Sequence, residues 1–321
     1  MFNFAQNYIT RGFWGDEAWT SMISQLPYLQ MLKTTAADFH PPAYYSLVEL
    51  VYVFFPPTEI VTRSISVLFY LLTAFMVYKL ASLVKGHLFG VLSAIVVLVN
   101  PIFFTYAFEA RNYTLFAFTA TGSIYYLIKL SEKFSFKGAI PFILFSTLGI
   151  YTHYYMFFIL VSQGLYLLLF DRKILFKMIG VFAAVGVLYL PWIPFLFGQL
   201  TSVSDSYWIS PTVFWNPLQS LAPYGTHYEA LVRILGGEHP NVLQIWLFRL
   251  SVVLLIVGLI QHIRQKSFEK PYLLIWLWAT VPFVLATLPG LRITEELKFP
   301  FRPIFFWRYL IGASVPLSML V

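Results

Sequence analysis

Five short polar clusters interrupt an otherwise apolar chain, and each holds side chains able to move protons or bind anions. The first is Gly12-Phe13-Trp14-Gly15-Asp16-Glu17-Ala18-Trp19, in which two adjacent carboxylates lie between tryptophans. A carboxylate held near an apolar surface can serve as a general base toward a hydroxyl or an amine. The second is Phe39-His40-Pro41-Pro42. Proline suits the first turn of a helix, and a helix starting there would turn His40 and unpaired backbone N–H groups toward an anion such as a phosphate. The third is Phe108-Glu109-Ala110-Arg111-Asn112-Tyr113. Residues two apart on a helix do not face each other, so Glu109 and Arg111 need not neutralise one another locally. Arg111 suits a phosphate, and Glu109 suits a hydroxyl or a metal ion. The fourth is Tyr151-Thr152-His153-Tyr154-Tyr155, with His153 among phenols. The fifth is Arg302 with Arg308-Tyr309, near the end of the chain.

Each cluster also has a plainer reading. Tryptophans anchor solvated turns at a membrane surface, prolines open helices, and cationic side chains snorkel from helix ends. What joins the five is their placement, which depends on the elements that carry them.

Those elements are membrane helices. Of the 321 residues 59% are hydrophobic and only 11% charged, less than half the roughly 25% of an ordinary soluble domain. This excludes a soluble enzyme, a disordered chain and a nucleic-acid-binding module, so the net charge of +7 is not a nucleic-acid footprint. No cysteine is present, which excludes disulfides, thiol nucleophiles, zinc fingers and iron–sulfur ligation. The 33 Phe, 21 Tyr and 9 Trp suit a lipid-facing surface with interfacial aromatic belts. The fold class is therefore all-α, a polytopic transmembrane bundle of about 8–9 spans with outer juxtamembrane helices.

A helix needs about 20 residues to cross the hydrocarbon core. Spans are expected near 60–84, 88–108, 112–130, 138–152, 154–170, 174–197, 243–263, 271–289 and from 308 onward. Alternate short connections hold 11 of the 21 Lys and Arg and only three acids, Glu132, Asp171 and Glu269. Positive loops stay cytoplasmic. Residues 1–59, 109–111, 152–154, 198–242 and 290–307 thus face outward, and all five polar clusters fall on that side. The apolar stretch 41–55 carries Glu49 and stops at Pro56-Pro57. It is too short to span and is expected to lie in the outer interface. The long outer loop 198–242, with Trp208, Trp215, Tyr224, His227 and Tyr228, exceeds the roughly 12–15 residues of an ordinary connection. Its aromatics are expected to pack on the outer face. The chain reads as a single domain over 1–321. Residues 1–15 contain no span that would carry them outward, and the last apolar run is short. The expectation is a chain lacking a first span and a C-terminal region.

Taken together, Gly15-Asp16-Glu17-Ala18, His40-Pro41-Pro42, Arg63-Ser64-Ile65-Ser66, Glu109-Ala110-Arg111-Asn112-Tyr113, Thr152-His153-Tyr154 and Arg308-Tyr309 resemble, in order, the motifs of GT-C membrane glycosyltransferases. The similarity covers essentially the whole chain. It is narrowest to the bacterial branch related to dolichyl-phosphate-mannose–protein mannosyltransferases, aminoarabinose transferases and lipopolysaccharide galacturonosyltransferases. The resemblance implies a multi-pass protein of the bacterial inner membrane with its active face extracytoplasmic. It would move a sugar from a polyprenyl-phosphate donor to a glycan, lipid or protein acceptor. Asp16, with Glu17 adjacent, maps onto the acidic residue that acts as base or binds a metal in such enzymes. His40, Glu109, Arg111, His153 and Arg308 become candidate substrate contacts. No cofactor is required by the sequence. No spacing of His, Asp or Glu is a metal signature, so a divalent cation is an open option. The competing readings are a transporter or flippase of a lipid-linked substrate and an inactive fragment. Transporters place ionisable groups near the membrane midplane, whereas here they gather at one face.

Overall fold

The computed structural model describes residues 5–206, 270–287 and 311–320, together with Ile260 and Tyr309. Among the described residues every regular element is helical. Three short helices, α1 (Gly15–Ile23), α2 (Tyr28–Ala36) and α3 (Ala43–Tyr52), precede the first long one, α4 (Glu59–Lys85). The ten residues of α3 extend only about 15 Å, half the hydrocarbon thickness, so the stretch 41–55 does not span. Pro56 and Pro57 end it, and Thr58 then caps α4 by accepting from the Val61 N–H at 3.4 Å.

α4 has 27 residues, about 40 Å of helix, and is long and apolar enough to cross a bilayer. It stops at Gly86, whose φ of +86° suits a residue without Cβ. Lys85 sits in the last turn, where a cation complements the helix dipole. The stretch expected as one span over 88–108 is two helices, α5 (His87–Leu98) and α6 (Pro101–Ala107). Pro101 has no N–H to continue the ladder, and the Asn100 side chain caps the new start by accepting from Phe103 N–H. Tyr70 of α4 donates to the Leu98 carbonyl at the break.

α7 (Tyr113–Glu132) is the buried axis of the bundle, packed on α4, α8 (Phe136–Thr152), α9 (Met156–Phe170) and α13 (Ile311–Leu320). Close approach relies on small residues, as is usual between membrane helices. Gly122 lies against Phe145, and Gly312 against Phe116, where an added Cβ would meet ring carbons at 2.2 and 2.5 Å. Ser123, Ser146 and Gln163 join α7, α8 and α9 by hydrogen bonds of 2.9 and 2.8 Å. α10 (Arg172–Tyr189) continues through a 3-10 turn at Leu190–Trp192 into α11 (Ile193–Ser206), and this run is likewise long and apolar enough to span. α12 (Lys270–Thr287) packs on α9 and α13. The outward faces are apolar, as at Leu71, Phe75, Leu92, Leu144, Phe176 and Val187, which is a surface for lipid rather than water. The span expected at 243–263 and most of the 198–242 loop lie outside the described residues, although 198–206 belongs to α11.

The short helices form a layer over one end of the bundle. α3 lies across α4 and α7 through Tyr44, Val48, Ile65 and Leu115. Tyr44 Oη is 2.9 Å from Ser66 Oγ, which in turn donates to the Arg111 carbonyl at 3.3 Å. Tyr52 Oη meets both Thr62 Oγ1 (2.6 Å) of α4 and Ser21 Oγ (3.0 Å) of α1. The layer is fixed to the bundle by polar contacts as well as by burial, and its fixed points surround the polar clusters.

Candidate active site

Two structural anchors come first. Glu17 and Arg63 are both fully buried, with Arg63 Nε donating to Glu17 Oε1 at 2.9 Å and Nη2 to Oε2 at 2.6 Å. This fork is the strong bidentate geometry of a guanidinium–carboxylate pair. The remaining donors of Arg63 go to the carbonyls of Ile9 (2.7 Å), Arg11 (2.6 Å) and Gly12 (3.3 Å). Glu17 also accepts from the Ala110 backbone N–H at 2.9 Å and from the Trp14 N–H at 3.4 Å. One carboxylate thus joins the first loop, α4 and the 108–112 turn. Glu17 was grouped with Asp16 as an acid–base residue; its oxygens are instead occupied by donors and closed to solvent. The second anchor ties the two outer turns together, Asn112 Nδ2 donating to the Thr152 carbonyl at 2.8 Å.

Asp16, one residue before Glu17, points differently. Its side chain is 34% exposed, and Oδ2 lies 3.8 Å from Arg111 Nη2. Arg111 is 4% exposed and also donates to the Asp16 carbonyl at 3.3 Å. Nη2 approaches His40 Nε2 at 3.0 Å. A guanidinium only donates, so His40 Nε2 must present its lone pair and carry its proton on Nδ1. That nitrogen faces Asp38 Oδ2 at 3.2 Å, an oxygen which also accepts from Trp19 Nε1 at 3.3 Å. The chain of contacts Asp38–His40–Arg111–Asp16 is the core of the site. Arg111 Nε makes no hydrogen bond among the described residues, though it is buried, and Asn112 Oδ1 is in the same state. Buried polar groups of this kind usually have a partner, so the turn is built with capacity in reserve.

The electrostatics follow from burial and neighbours. Burial pulls the pKa of Arg111 down, but the phenols of Tyr45 and Tyr113 and the Asp16 carboxylate outweigh it, and the net shift is upward. Its positive charge is fixed. Burial and the Arg111 charge hold His40 below the ordinary histidine value, against the opposing pull of Asp38. Burial pushes Asp38 up, but its contacts with His40, the Phe39 N–H and Trp19 win and lower it. His153 is held well below its ordinary value by burial, then by the nearby His40 and Arg111. Its ring stacks on Phe116 at 4.9 Å and meets Tyr155 and Tyr309 edge-on at 5.3 and 5.1 Å. The Tyr155 N–H donates to its Nδ1 at 3.2 Å.

Asp16, His40, Arg111 and His153 therefore lie at one end of the bundle, and the half-buried Glu109 sits in the same turn as Arg111. Arg302 and Arg308 lie outside the described residues, but Tyr309, next in sequence, reaches His153. Asp38 was not singled out from the sequence, although its position two residues before a histidine was the available signal. Gln199 was also missed. From α11 it donates to the carbonyls of Thr35 (3.0 Å) and His40 (3.5 Å), and Tyr154 donates to it in turn. Nothing local in the sequence links position 199 to position 40. Among the described residues no three His, Asp or Glu side chains are placed to share a metal ion; Asp16 and Asp38 are separated by Arg111 and His40. Among the described residues the donor set does not fit a cation, and no step is assigned to one.

Comparison with known proteins bears on the fold and on residues 39–197. The family model of dolichyl-phosphate-mannose-protein mannosyltransferase matches residues 39–197, which hold His40, Glu109, Arg111 and His153. No curated protein matches the chain in sequence. Among solved structures, ArnT from Cupriavidus metallidurans in the apo state superposes with a TM-score of 0.68 at 14% identity, covering 99% of this chain and 56% of that one. The chain thus spans little more than half the length of that protein, and at this identity the likeness concerns the fold. The chain is a GT-C-fold membrane protein whose residues 39–197 carry the pattern of the mannosyltransferase family.

Proposed function

We propose that this chain is a glycosyltransferase that moves a sugar from a polyprenyl-phosphate donor to a glycan, lipid or protein acceptor at the extracytoplasmic face of a bacterial inner membrane. The observation that carries the proposal is the approach of a one-third-exposed carboxylate, Asp16, to a buried guanidinium, Arg111, at 3.8 Å, whose Nε makes no hydrogen bond among the described residues. Transfer from a phosphodiester needs two things. The leaving phosphate needs a positive partner, which stabilises charge as the sugar–oxygen bond breaks, and the attacking hydroxyl or amine needs a base. Arg111 supplies the first, with His40 beside it and Arg308 assigned to the same task. Asp16 supplies the second. His153, held neutral among aromatic rings, suits the wall of a sugar subsite. Glu109 is assigned to acceptor or sugar hydroxyls. Glu17 positions the loop that carries Asp16.

The acceptor attacks the anomeric carbon as the phosphate oxygen departs with the bonding pair, and Asp16 takes the acceptor proton. A single displacement of this kind inverts the anomeric centre.

The test is transfer in proteoliposomes supplied with polyprenyl-phosphoryl sugars and acceptor lipids, comparing the natural chain with Asp16→Asn. Sugar transfer that disappears in the variant supports the proposal. Movement of the lipid-linked sugar across the bilayer without transfer would replace it with the transporter reading. Sidedness is tested separately with reporters, which should read cytoplasmic when fused after Lys133 or Lys173 and external within 205–240. The inverted pattern would place the site on the wrong face.

A further inference from the structure

Asp38 has no part in the reaction as written above, yet it ends a continuous chain of contacts. Its Oδ2 meets His40 Nδ1 at 3.2 Å and accepts from Trp19 Nε1 at 3.3 Å, while His40 Nε2 meets Arg111 Nη2 at 3.0 Å. That proton arrangement suits a site holding no anion. If a phosphate oxygen engages Arg111, the lone pair on His40 Nε2 faces negative charge. The imidazole can remain there favourably only with a proton on Nε2, when both ring nitrogens donate. A carboxylate on the far nitrogen is what stabilises an imidazolium, as in hydrolase triads, where the acid orients the ring and balances the charge without itself taking the proton.

The charges facing His40 come from several elements. Asp38 lies on its own loop, Asp16 on α1, Arg111 on the 108–112 turn and His153 on the turn between α8 and α9. Glu17 is already committed to Arg63. Gln199 of α11 touches only the His40 carbonyl at 3.5 Å. Of these, Arg111 is the fixed cation opposing a charged His40, and a bound phosphate would offset that charge while adding its own.

We propose that Asp38 is a positioning residue for the donor: it fixes His40 as the Nδ1–H tautomer beforehand and stabilises the imidazolium formed when His40 takes a proton at Nε2 as an anionic phosphate engages Arg111. The proton comes from solvent and returns to it when the phosphate leaves. This deepens the glycosyltransferase reading and rests on its assignment of Arg111 to the donor phosphate. The low pKa of His40 in the present structure agrees with it, because burial and Arg111 are the leading causes and the bound anion offsets the second. Donor affinity should then be highest at acidic pH and fall as pH rises through the pKa of His40 in the complex. Loss of the Asp38 charge should move that fall to lower pH.

The test is calorimetric binding of farnesyl methyl phosphate to the full chain in detergent. This diester carries one fixed negative charge, so any proton taken up belongs to the protein. Titrations at neutral pH in buffers of different ionisation enthalpy should show uptake approaching one proton per ligand. Uptake should vanish in His40→Gln. In Asp38→Asn it should fall, with affinity reduced roughly tenfold, the cost of weakening one charged contact, and Asp38→Glu should restore part of both. Binding without uptake in the natural chain overturns the inference and leaves the transferase reading intact. So does unchanged uptake in Asp38→Asn. If that variant does not fold, Asp38→Glu decides through its pH profile: a displaced affinity fall supports the inference, and an unmoved one overturns it. Failure of the diester to bind the natural chain removes both the inference and the assignment of Arg111.

Discussion

Two buried arginines stand in the same outer layer, and they are bonded in opposite ways. Arg63 is enclosed: a bidentate carboxylate and three backbone carbonyls take its donors. Arg111 is equally cut off from water, and it donates to the Asp16 carbonyl at 3.3 Å, the Thr20 hydroxyl at 3.5 Å and a neutral imidazole at 3.0 Å. Its carboxylate neighbour, however, stands off at 3.8 Å, and its Nε makes no hydrogen bond among the described residues. The first arrangement is complete and gains nothing from a ligand. The second leaves one donor over among the described residues, which is the capacity the proposed donor phosphate would use. Burial alone therefore does not separate a structural charge from a functional one. The separation lies in whether the charge is fully matched within the chain.

The largest effect should come from breaking the complete pair. Glu17→Gln leaves the Arg63 charge buried without a counter-ion, which costs about 3–5 kcal/mol and should lower the melting temperature sharply in detergent. A second change, Arg63→Met, should recover much of the loss, because removing both charges is far less harmful than removing one. If Glu17→Gln melts like the natural chain yet stops transfer, Glu17 performs chemistry and the contrast between the arginines fails. Next comes Asp16→Asn, nearly isosteric but unable to accept a proton. It should reduce turnover by about 10² to 10⁴ with donor affinity nearly unchanged. Near-normal turnover in Asp16→Asn, together with its loss in Glu109→Gln, would move the base to the 109–111 turn.

Arg111→Ala should weaken donor binding by roughly 10- to 100-fold, the range for a hydrogen bond to a charged group. Its effect on melting should be small beside that of Glu17→Gln. Equal destabilisation by the two variants would show that both arginines are structural. The smallest effect concerns pH. His153 titrates lower in the folded protein than in the unfolded chain, so the native state binds fewer protons. Its stability is whole above about pH 6.5 and declines as pH falls toward the native value. His153→Phe should flatten the acid side of the melting-temperature profile by up to about 1.4 kcal/mol per pH unit. An unaltered profile would place the acid sensitivity elsewhere, His40 being the other candidate.

Sequence periodicity and loop charge located the helices well because both are local properties. The expected span 60–84 is α4 at Glu59–Lys85, and 112–130 is α7 at Tyr113–Glu132. The division of 88–108 at Asn100-Pro101 follows from proline chemistry, yet apolar length alone reads through it. That 41–55 is too short to span was legible from its length and from Pro56-Pro57, whereas α2 carries too weak an apolar signal to stand out. At the site, Asp16, His40, Arg111 and His153 were legible as polar residues that would gather at one end of the bundle. What was not legible is who bonds to whom. Glu17 and its neighbour Asp16 are the same kind of residue on paper. Only the approach of Arg63, 46 residues away, and of the Ala110 N–H, 93 residues away, makes one of them an anchor. Asp38 acquires meaning only through the tautomer of His40, which is fixed by a contact 71 residues distant.

Those separations carry a consequence for how the protein is made. Glu17 is made before both of its partners, the first on α4 and the second just before α7. Until residue 110 has been made, the Glu17 carboxylate holds Arg63 but lacks the Ala110 N–H that ties it to the 108–112 turn. Contacts so far apart in sequence form late, because long loops must close first. Docking of the first loop thus cannot be complete until the 108–112 turn has been made, and a chain stalled before that turn leaves the Glu17 carboxylate short of one donor. The Glu17–Arg63 pair is therefore one half of a socket whose other half, the Ala110 N–H, is made only later in the chain.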